Sequence, residues 1–198
     1  MNPPETRPSL LLQIRNPANQ TAWDEFTEIY RPVICRMAGF RGIQEADAED
    51  LAQQVLIAVA GAIERWNIDP ERAAFRTWLK RVANNAIFNA LTRGVPDQGS
   101  GDDNLHRFLE QRPAFDGPTS DLFRTESRRE VFLWAARNIR SEFTNDTWSS
   151  FWLTAVNGMD VEAAARELGR TRGSVYASRS RVMKRLKQKV ADYEGDDL

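Results

Sequence analysis

Apolar residues recur every three or four positions along most of the chain, which is the spacing of one face of a helix. Residues 21–38 carry this pattern, and Pro32 is expected to kink or break the helix there. The full set of predicted helices covers residues 21–38, 47–66, 73–92, 123–143, 146–156, 161–168 and 174–190. Strand-type alternation never runs longer than a few residues, so the pattern predicts an all-α fold.

Composition changes abruptly at Gly94. The segment GVPDQGSGDDN, residues 94–104, is dense in Gly, Pro, Asp and Ser and offers little to bury, so it is predicted to be a flexible linker. Weak helical character follows at LHRFLEQR, and the chain breaks again at PAFDGPTS. We therefore expect two small helical domains, residues 1–93 and 121–198, joined by a flexible acidic linker over residues 94–120.

The overall composition, 41% hydrophobic and 28% charged over 198 residues, is that of a globular protein. It contains no run of eighteen apolar residues and no charged leader at the N-terminus, so we expect a chain that is neither secreted nor membrane-spanning. The single cysteine, Cys35, lies in an apolar helical context, which favours a buried structural thiol. These features together predict a cytoplasmic protein.

The net charge of −1 conceals two basic blocks. Residues 72–93 hold five basic residues and no acid, and residues 161–190 hold nine basic residues against two acids. Acidic residues collect at 45–50, between the blocks and in the C-terminal tail. Two basic blocks separated by an acidic connector indicate two contacts with a polyanion.

The second basic block has the pattern of a helix-turn-helix. Gly169 suits the left-handed residue that ends the first helix, and Thr171 or Ser174 can cap the second. Val175, Val182 and Leu186 are expected to face inward. The second helix would then present a basic face to the major groove, which we favour over a merely solvated amphipathic helix. The predicted DNA contacts of this helix are Arg172, Ser174, Tyr176, Ser178, Arg179, Arg181, Lys184 and Arg185.

The helix predicted over residues 47–66 begins with several acids. Asp47 is expected to cap it, and the helix macrodipole accounts for one or two of the acids. The remaining acids precede two glutamines, which creates a polar face suited to a partner protein. The predicted partner-binding residues are Asp47, Glu49, Asp50, Gln53 and Gln54.

Three segments in order, DAEDLAQQVLIAV, FRTWLKRVANNAIFNAL and AAARELGRTRGSVYASRSRVMKRL, resemble the bacterial RNA polymerase sigma factors of the extracytoplasmic-function (ECF) group. The resemblance covers residues 20–93 and 121–190. It departs at residues 176–178, where Tyr-Ala-Ser stands in place of a pattern that often carries basic residues.

The resemblance implies that the protein binds core RNA polymerase, directs it to promoters and assists their melting. The acidic helix would dock on the clamp helices of the largest subunit, and the second domain would meet the flap of the second subunit. Residues 73–92 would bind the minus-ten element as single strand, and the helix-turn-helix would bind the minus-thirty-five element as duplex. An anti-sigma protein or another regulator is an implied partner.

In the helix over residues 73–92, Arg81, Asn85 and Asn89 recur every four residues and are expected to form an outward ladder for base edges. Trp78, Leu79, Val82 and Ala86, with Phe88 as a further candidate, have the spacing of core residues, and Phe75 suits either stacking on a base or the core. By the resemblance, residues 67–74 would receive a flipped-out base, and Arg72, Arg76 and Lys80 would hold phosphates. The complete predicted minus-ten set is Arg72, Phe75, Arg76, Lys80, Arg81, Asn85 and Asn89.

The alternative function is an autonomous helix-turn-helix regulator whose N-terminal bundle senses a signal or dimerises. Such a regulator would bind duplex DNA tightly without polymerase, which the near-neutral charge disfavours. An enzyme finds little support, because His106 is the only histidine and the glycines form no phosphate loop. We expect no catalysis, no metal and no cofactor.

Overall fold

The computed structural model of the protein describes residues 8–64, 75–93 and 118–194. Within these ranges the chain forms helices and no strand, which confirms the all-α prediction. Each of the seven predicted helices has a counterpart, with ends shifted by a few residues. The helices are α1 (Pro8–Gln13), α2 (Gln20–Phe40), α3 (Glu45–Ile63), α4 (Phe75–Arg93), α5 (Pro118–Ile139), α6 (Asn145–Phe151), α7 (Val161–Glu167) and α8 (Arg172–Glu194). A 3₁₀ turn (Arg140–Glu142) follows α5, and a π-helical turn (Trp152–Val156) follows α6.

The chain divides into two compact units, Met1–Val131 and Phe132–Leu198. The division falls inside α5, so this helix contributes its first part to one unit and the remainder to the other. The predicted linker over residues 94–120 lies almost entirely outside the described residues. The predicted domain bounds therefore stay a prediction.

Helix ends in the first unit follow local side-chain chemistry. The side-chain oxygen of Asn19 accepts a hydrogen bond from the backbone N–H of Ala22 at 3.2 Å, which caps α2. The predicted cap of α3 is wrong. That helix already begins at Glu45, and Asp47 lies inside its first turn, where its charge suits the macrodipole instead. The predicted break at Pro32 does not end α2, which continues to Phe40.

The core of the first unit is formed by the inward faces of α2, α3 and α4. Leu51, Val55 and Val59 of α3 are fully buried. The short helix α1 was not predicted, and it buries Leu10, Leu11 and Ile14. Six residues carry too little periodicity to distinguish such a helix from a turn.

Charged side chains join α2 to the first part of α5. Arg36 forms ion pairs with both Glu126 and Glu130, which lie four residues apart on α5. The side chains of Glu126 and Glu130 are 12% and 6% exposed, and that of Arg36 is 34% exposed. Arg36 therefore pairs with two carboxylates that have little access to water, and the Nη1 of Arg129 lies 3.9 Å from one of them, that of Glu126.

In the second unit α6 packs against α8, and α7 contacts α8 and the π-helical turn that follows α6. The side-chain oxygen of Thr144 accepts the N–H of Thr147 and begins α6. Phe151 is fully buried. Trp148 and Trp152 are only half-buried, and their rings stack with centroids 6.0 Å apart.

The turn between α7 and α8 is built as its sequence predicts. Gly169 has φ of +61°, a left-handed conformation that a side chain disfavours. The Thr171 hydroxyl oxygen accepts the N–H of Ser174 at 3.2 Å, so Thr171 acts as the cap and α8 begins at Arg172. Val175, Val182 and Leu186 are buried, as predicted.

Candidate nucleic-acid interface

The prediction that Arg81, Asn85 and Asn89 all face outward from α4 is wrong. Arg81 is exposed, but Asn85 and Asn89 are only 4% and 1% exposed. The reason is their position relative to Val82, which is fully buried and precedes them by three and seven residues. Alternating steps of three and four keep side chains on one face of a helix, so both asparagines share the core face.

Two further predicted contacts on α4 also face the core. Phe75 is 2% exposed, and its ring meets that of Phe26 at a centroid distance of 5.8 Å, which resolves the open choice in favour of the core. Arg76 is 7% exposed and donates its Nε–H to the Tyr30 hydroxyl oxygen at 3.1 Å. Arg72 and the predicted base-receiving segment 67–74 lie outside the described residues.

The solvent face of α4 carries a different set of side chains. Arg81 and Phe88 are exposed and Asn84, between them, is half-buried. Phe88 is 39% exposed, although its spacing had suggested the core. Lys80, half-buried, flanks this row. Sequence reasoning missed Asn84 and Phe88; the steps of three and four from Arg81 were the signal that could have found them.

The polar face predicted on α3 lies at the surface of the first unit. Asp47, Asp50 and Gln53 are exposed, and Glu49 and Gln54 are half-buried. Arg31 donates its Nε–H to Glu49 Oε2 at 2.7 Å, so Glu49 is engaged within the unit. Ile57, four residues after Gln53, is 46% exposed and adds an apolar side chain that sequence reasoning missed.

Five of the eight predicted DNA contacts on α8 are exposed to solvent. Ser174, Ser178 and Arg185 are not. Ser178 was expected to point outward, which is wrong. It is fully buried because it follows the inward Val175 by three residues and precedes the inward Val182 by four. Ser174 is half-buried. The exposed predicted residues are Arg172, Tyr176, Arg179, Arg181 and Lys184.

The third constrained residue of α8 is Arg185. Its Nε–H and Nη2–H groups donate to the two carboxylate oxygens of Glu142 at 2.6 and 2.8 Å. This hydrogen bonding raises the pKa of Arg185 above its ordinary value. Arg140 holds the 3₁₀ turn that carries Glu142, because its guanidinium donates to the Phe143 carbonyl oxygen at 3.1 Å. Arg185 is therefore fastened to the body of the second unit.

Among the described residues, no group of side chains is arranged to hold a metal ion. No helix in this part of the chain is long and apolar enough to cross a membrane. The protein so far defined is an all-helical chain with an acidic face on α3 and basic residues on α4 and α8. Residues 26–95 match the family model for sigma-70 region 2. This match spans most of α2 and all of α3 and α4 but less than half of the chain, so these helices are similar to region 2 of sigma-70 family factors. Comparison with curated proteins and with solved structures returned no match.

Proposed function

We propose that the protein is a sigma factor of the ECF group that binds core RNA polymerase, directs it to specific promoters and assists promoter melting. The observation that carries the proposal is the match of residues 26–95 to sigma-70 region 2. A second unit that ends in two turn-linked helices with exposed basic residues adds support, because a helix-turn-helix of this kind suits duplex DNA. We assign the cytoplasm as the place of action.

The acidic face of α3 is the proposed docking surface for the clamp helices of polymerase. Asp50 and Gln53 stand exposed one turn apart, and Ile57 supplies an apolar contact beside them. A polar rim around a desolvated apolar side chain is the usual anatomy of a protein interface. The flap of the second polymerase subunit is the proposed contact of the helix-turn-helix unit.

Docking is tested by reversing one charge. We expect Asp50→Arg to weaken binding of core polymerase by about tenfold or more, because the positive charge of the new arginine would face the basic side of the contact. Asp24→Arg is the matched control, since Asp24 is an exposed acid on α2, away from this face. Equal affinities of the two variants in a co-elution titration would contradict the docking surface.

The exposed row of α4 is the proposed minus-ten contact, in place of the predicted ladder. Arg81 offers a donor fork for base edges or phosphates, Asn84 offers both a donor and an acceptor, and Phe88 offers a ring for stacking. Lys80 would hold a phosphate. Stacking of a base on an aromatic ring is worth about 1 to 3 kcal/mol. Such contacts exist only with separated strands, so they offset the few kcal/mol that unstacking costs.

The melting role is tested with Phe88→Ala. We expect the variant holoenzyme to open a duplex promoter poorly, measured by permanganate reactivity of unpaired thymines, and to recover on a promoter whose strands are already mismatched. Phe40→Ala is the control, because Phe40 is also an exposed phenylalanine, 60% exposed, but belongs to α2. Normal opening of duplex promoters by the Phe88 variant would remove this residue from the mechanism.

The exposed basic residues of α8 are proposed to hold the duplex at the minus-thirty-five element. Arg181→Ala should weaken binding to all sequences about equally and reduce the slope of log affinity against log salt by about one. The autonomous regulator predicts tight duplex binding by the chain alone. A sigma factor instead predicts sequence-specific binding only after core polymerase is added. An anti-sigma protein that covers these faces is a further proposed partner, testable by co-purification from the host.

A further inference from the structure

The first two turns of α8, residues 172–179, hold few side chains able to reach a base edge. The N-terminal residues of a recognition helix are those that contact base edges in the major groove. Val175 and Ser178 are fully buried, and Ser174 is half-buried. Gly173 and Ala177 are exposed but carry no functional group. The side chains that remain are Arg172, Tyr176 and Arg179.

Tyr176 differs from its two charged neighbours in chemistry and in exposure. Tyr176 is 53% exposed. The other long side chains that α8 exposes are mostly basic. Arg172 precedes it by four residues and Arg179 follows by three, so all three share one side of the helix. The two guanidinium groups suit phosphates and guanine edges, whereas the ring of Tyr176 is apolar and only its hydroxyl could donate to a phosphate.

The position of the ring leaves space for close approach to DNA. Gly173, three residues before Tyr176, and Ser180, four residues after it, are exposed and small. A Cβ built at Gly173 meets no atom within 4 Å. Gly173 and Ser180 therefore do not hold the Tyr176 ring away from a base edge.

We propose that Tyr176 is a specificity-determining residue that recognises the 5-methyl group of a thymine in the duplex promoter element bound by α8. This inference rests on the proposed function. In the major groove the thymine methyl is the one apolar group that a base presents, so it is the matching surface for an exposed aromatic ring. Arg172 and Arg179 would fix the register of the helix on either side of that contact.

The test uses holoenzyme assembled from the full chain and core polymerase. A promoter found by mapping transcription starts is randomised in its upstream duplex element, and preferred sequences are selected by binding. Each selected thymine is then replaced by deoxyuridine, which lacks only the methyl group. We expect the replacement at one position to weaken binding of the wild type about fourfold, the value for one buried methyl group.

Three variants separate the explanations. Tyr176→Phe should keep the discrimination between thymine and deoxyuridine, and Tyr176→Ala should lose it. The melting temperature of the Tyr176→Ala protein should equal that of the wild type, because the ring is exposed. Arg181→Ala should weaken binding to all sequences and leave the discrimination in place. The proposal is overturned if Tyr176→Ala still discriminates, or if Tyr176→Phe loses discrimination as Tyr176→Ala does, since the hydroxyl would then make the contact.

Failure of this inference is distinguishable from failure of the proposed function. A wild-type holoenzyme that prefers no upstream sequence would overturn both the proposed duplex contact of α8 and the role of Tyr176. A wild-type holoenzyme with a clear upstream preference that Tyr176→Ala leaves unchanged would overturn the role of Tyr176 alone.

Discussion

Replacing Arg36 by Met removes a cation that pairs with both Glu126 and Glu130 while keeping most of the side-chain stem; Arg129, whose Nη1 lies 3.9 Å from Glu126 Oε2, remains. The two glutamate side chains are 12% and 6% exposed, so water cannot fully replace the lost guanidinium. Removing one partner of a buried ion pair typically costs about 3 to 5 kcal/mol, because the remaining charge is left without compensation. Arg36 is itself 34% exposed, which places the expected loss at the lower end, about 3 kcal/mol.

The matched control is Arg31→Met. Arg31 pairs with Glu49 on the surface of the same unit, with side chains 50% and 44% exposed. Exposed pairs contribute about 0 to 1 kcal/mol, so this variant should lose less than 1 kcal/mol. Both variants remove an arginine from α2 and have the same change in net charge. The difference between them therefore measures the buried arrangement.

The assay is urea unfolding followed by circular dichroism, with the free energy of unfolding extrapolated to water. A double-mutant cycle with Glu130→Gln then isolates the interaction, and residues in one network are expected to couple by about 0.5 to 3 kcal/mol. The double variant should recover part of the loss because one uncompensated charge disappears. Losses of equal size for Arg36→Met and Arg31→Met, with no coupling to Glu130, would refute the reasoning.

Three further predictions concern single residues. Phe75→Ala should lower the free energy of unfolding by about 3 to 5 kcal/mol, and Phe88→Ala should lower it by less than 1 kcal/mol, because Phe75 is in the core and Phe88 is exposed. Equal losses would contradict the assignment of the buried and exposed faces of α4. Gly169→Ala should cost about 1 kcal/mol because its φ is +61°, whereas Gly173→Ala, in open space within α8, should be nearly neutral in thermal unfolding. Burial, reinforced by Glu49, raises the pKa of the Cys35 thiol from 9.0 to about 11. Alkylation at pH 8 should therefore be slow, and stability should fall only as pH rises from 9.0 toward 11, because the unfolded thiol ionises first; a thiol that reacts at the rate of a small-molecule thiol would contradict this.

Helical spacing was sufficient to predict the order of the helices and much of the core. The inward set Val175, Val182 and Leu186 follows from steps of three and four alone, and all three are buried. Gly169 and Thr171 were predictable for a different reason, since turn and cap chemistry is local and is written in adjacent residues. The ion pairs of Arg36 were not predictable, because their partners lie 90 or more residues away on α5 and nothing local to α2 indicates them.

The error at Asn85 and Asn89 has a geometric cause. A helix has 3.6 residues per turn, so each step of four residues advances the side chain by about 40° beyond a full turn. A ladder built from two such steps turns by about 80° between Arg81 and Asn89, which carries it from the exposed face to the buried one. The row Arg81, Asn84 and Phe88 alternates steps of three and four, and the drift largely cancels.

Four residues of α4 and α8 depart from the usual burial of apolar side chains and exposure of polar ones. Asn85 and Ser178 are polar and buried, whereas Phe88 and Tyr176 are aromatic and exposed. A buried polar group or an exposed large apolar group is the informative exception to hydrophobic burial, and such local conflicts tend to mark functional sites. Both inversions occur on α4 and α8, the helices whose basic residues had already indicated a polyanion. Exposed rings on those two helices are what base stacking and methyl recognition require, so Phe88 and Tyr176 fit the proposed promoter contacts.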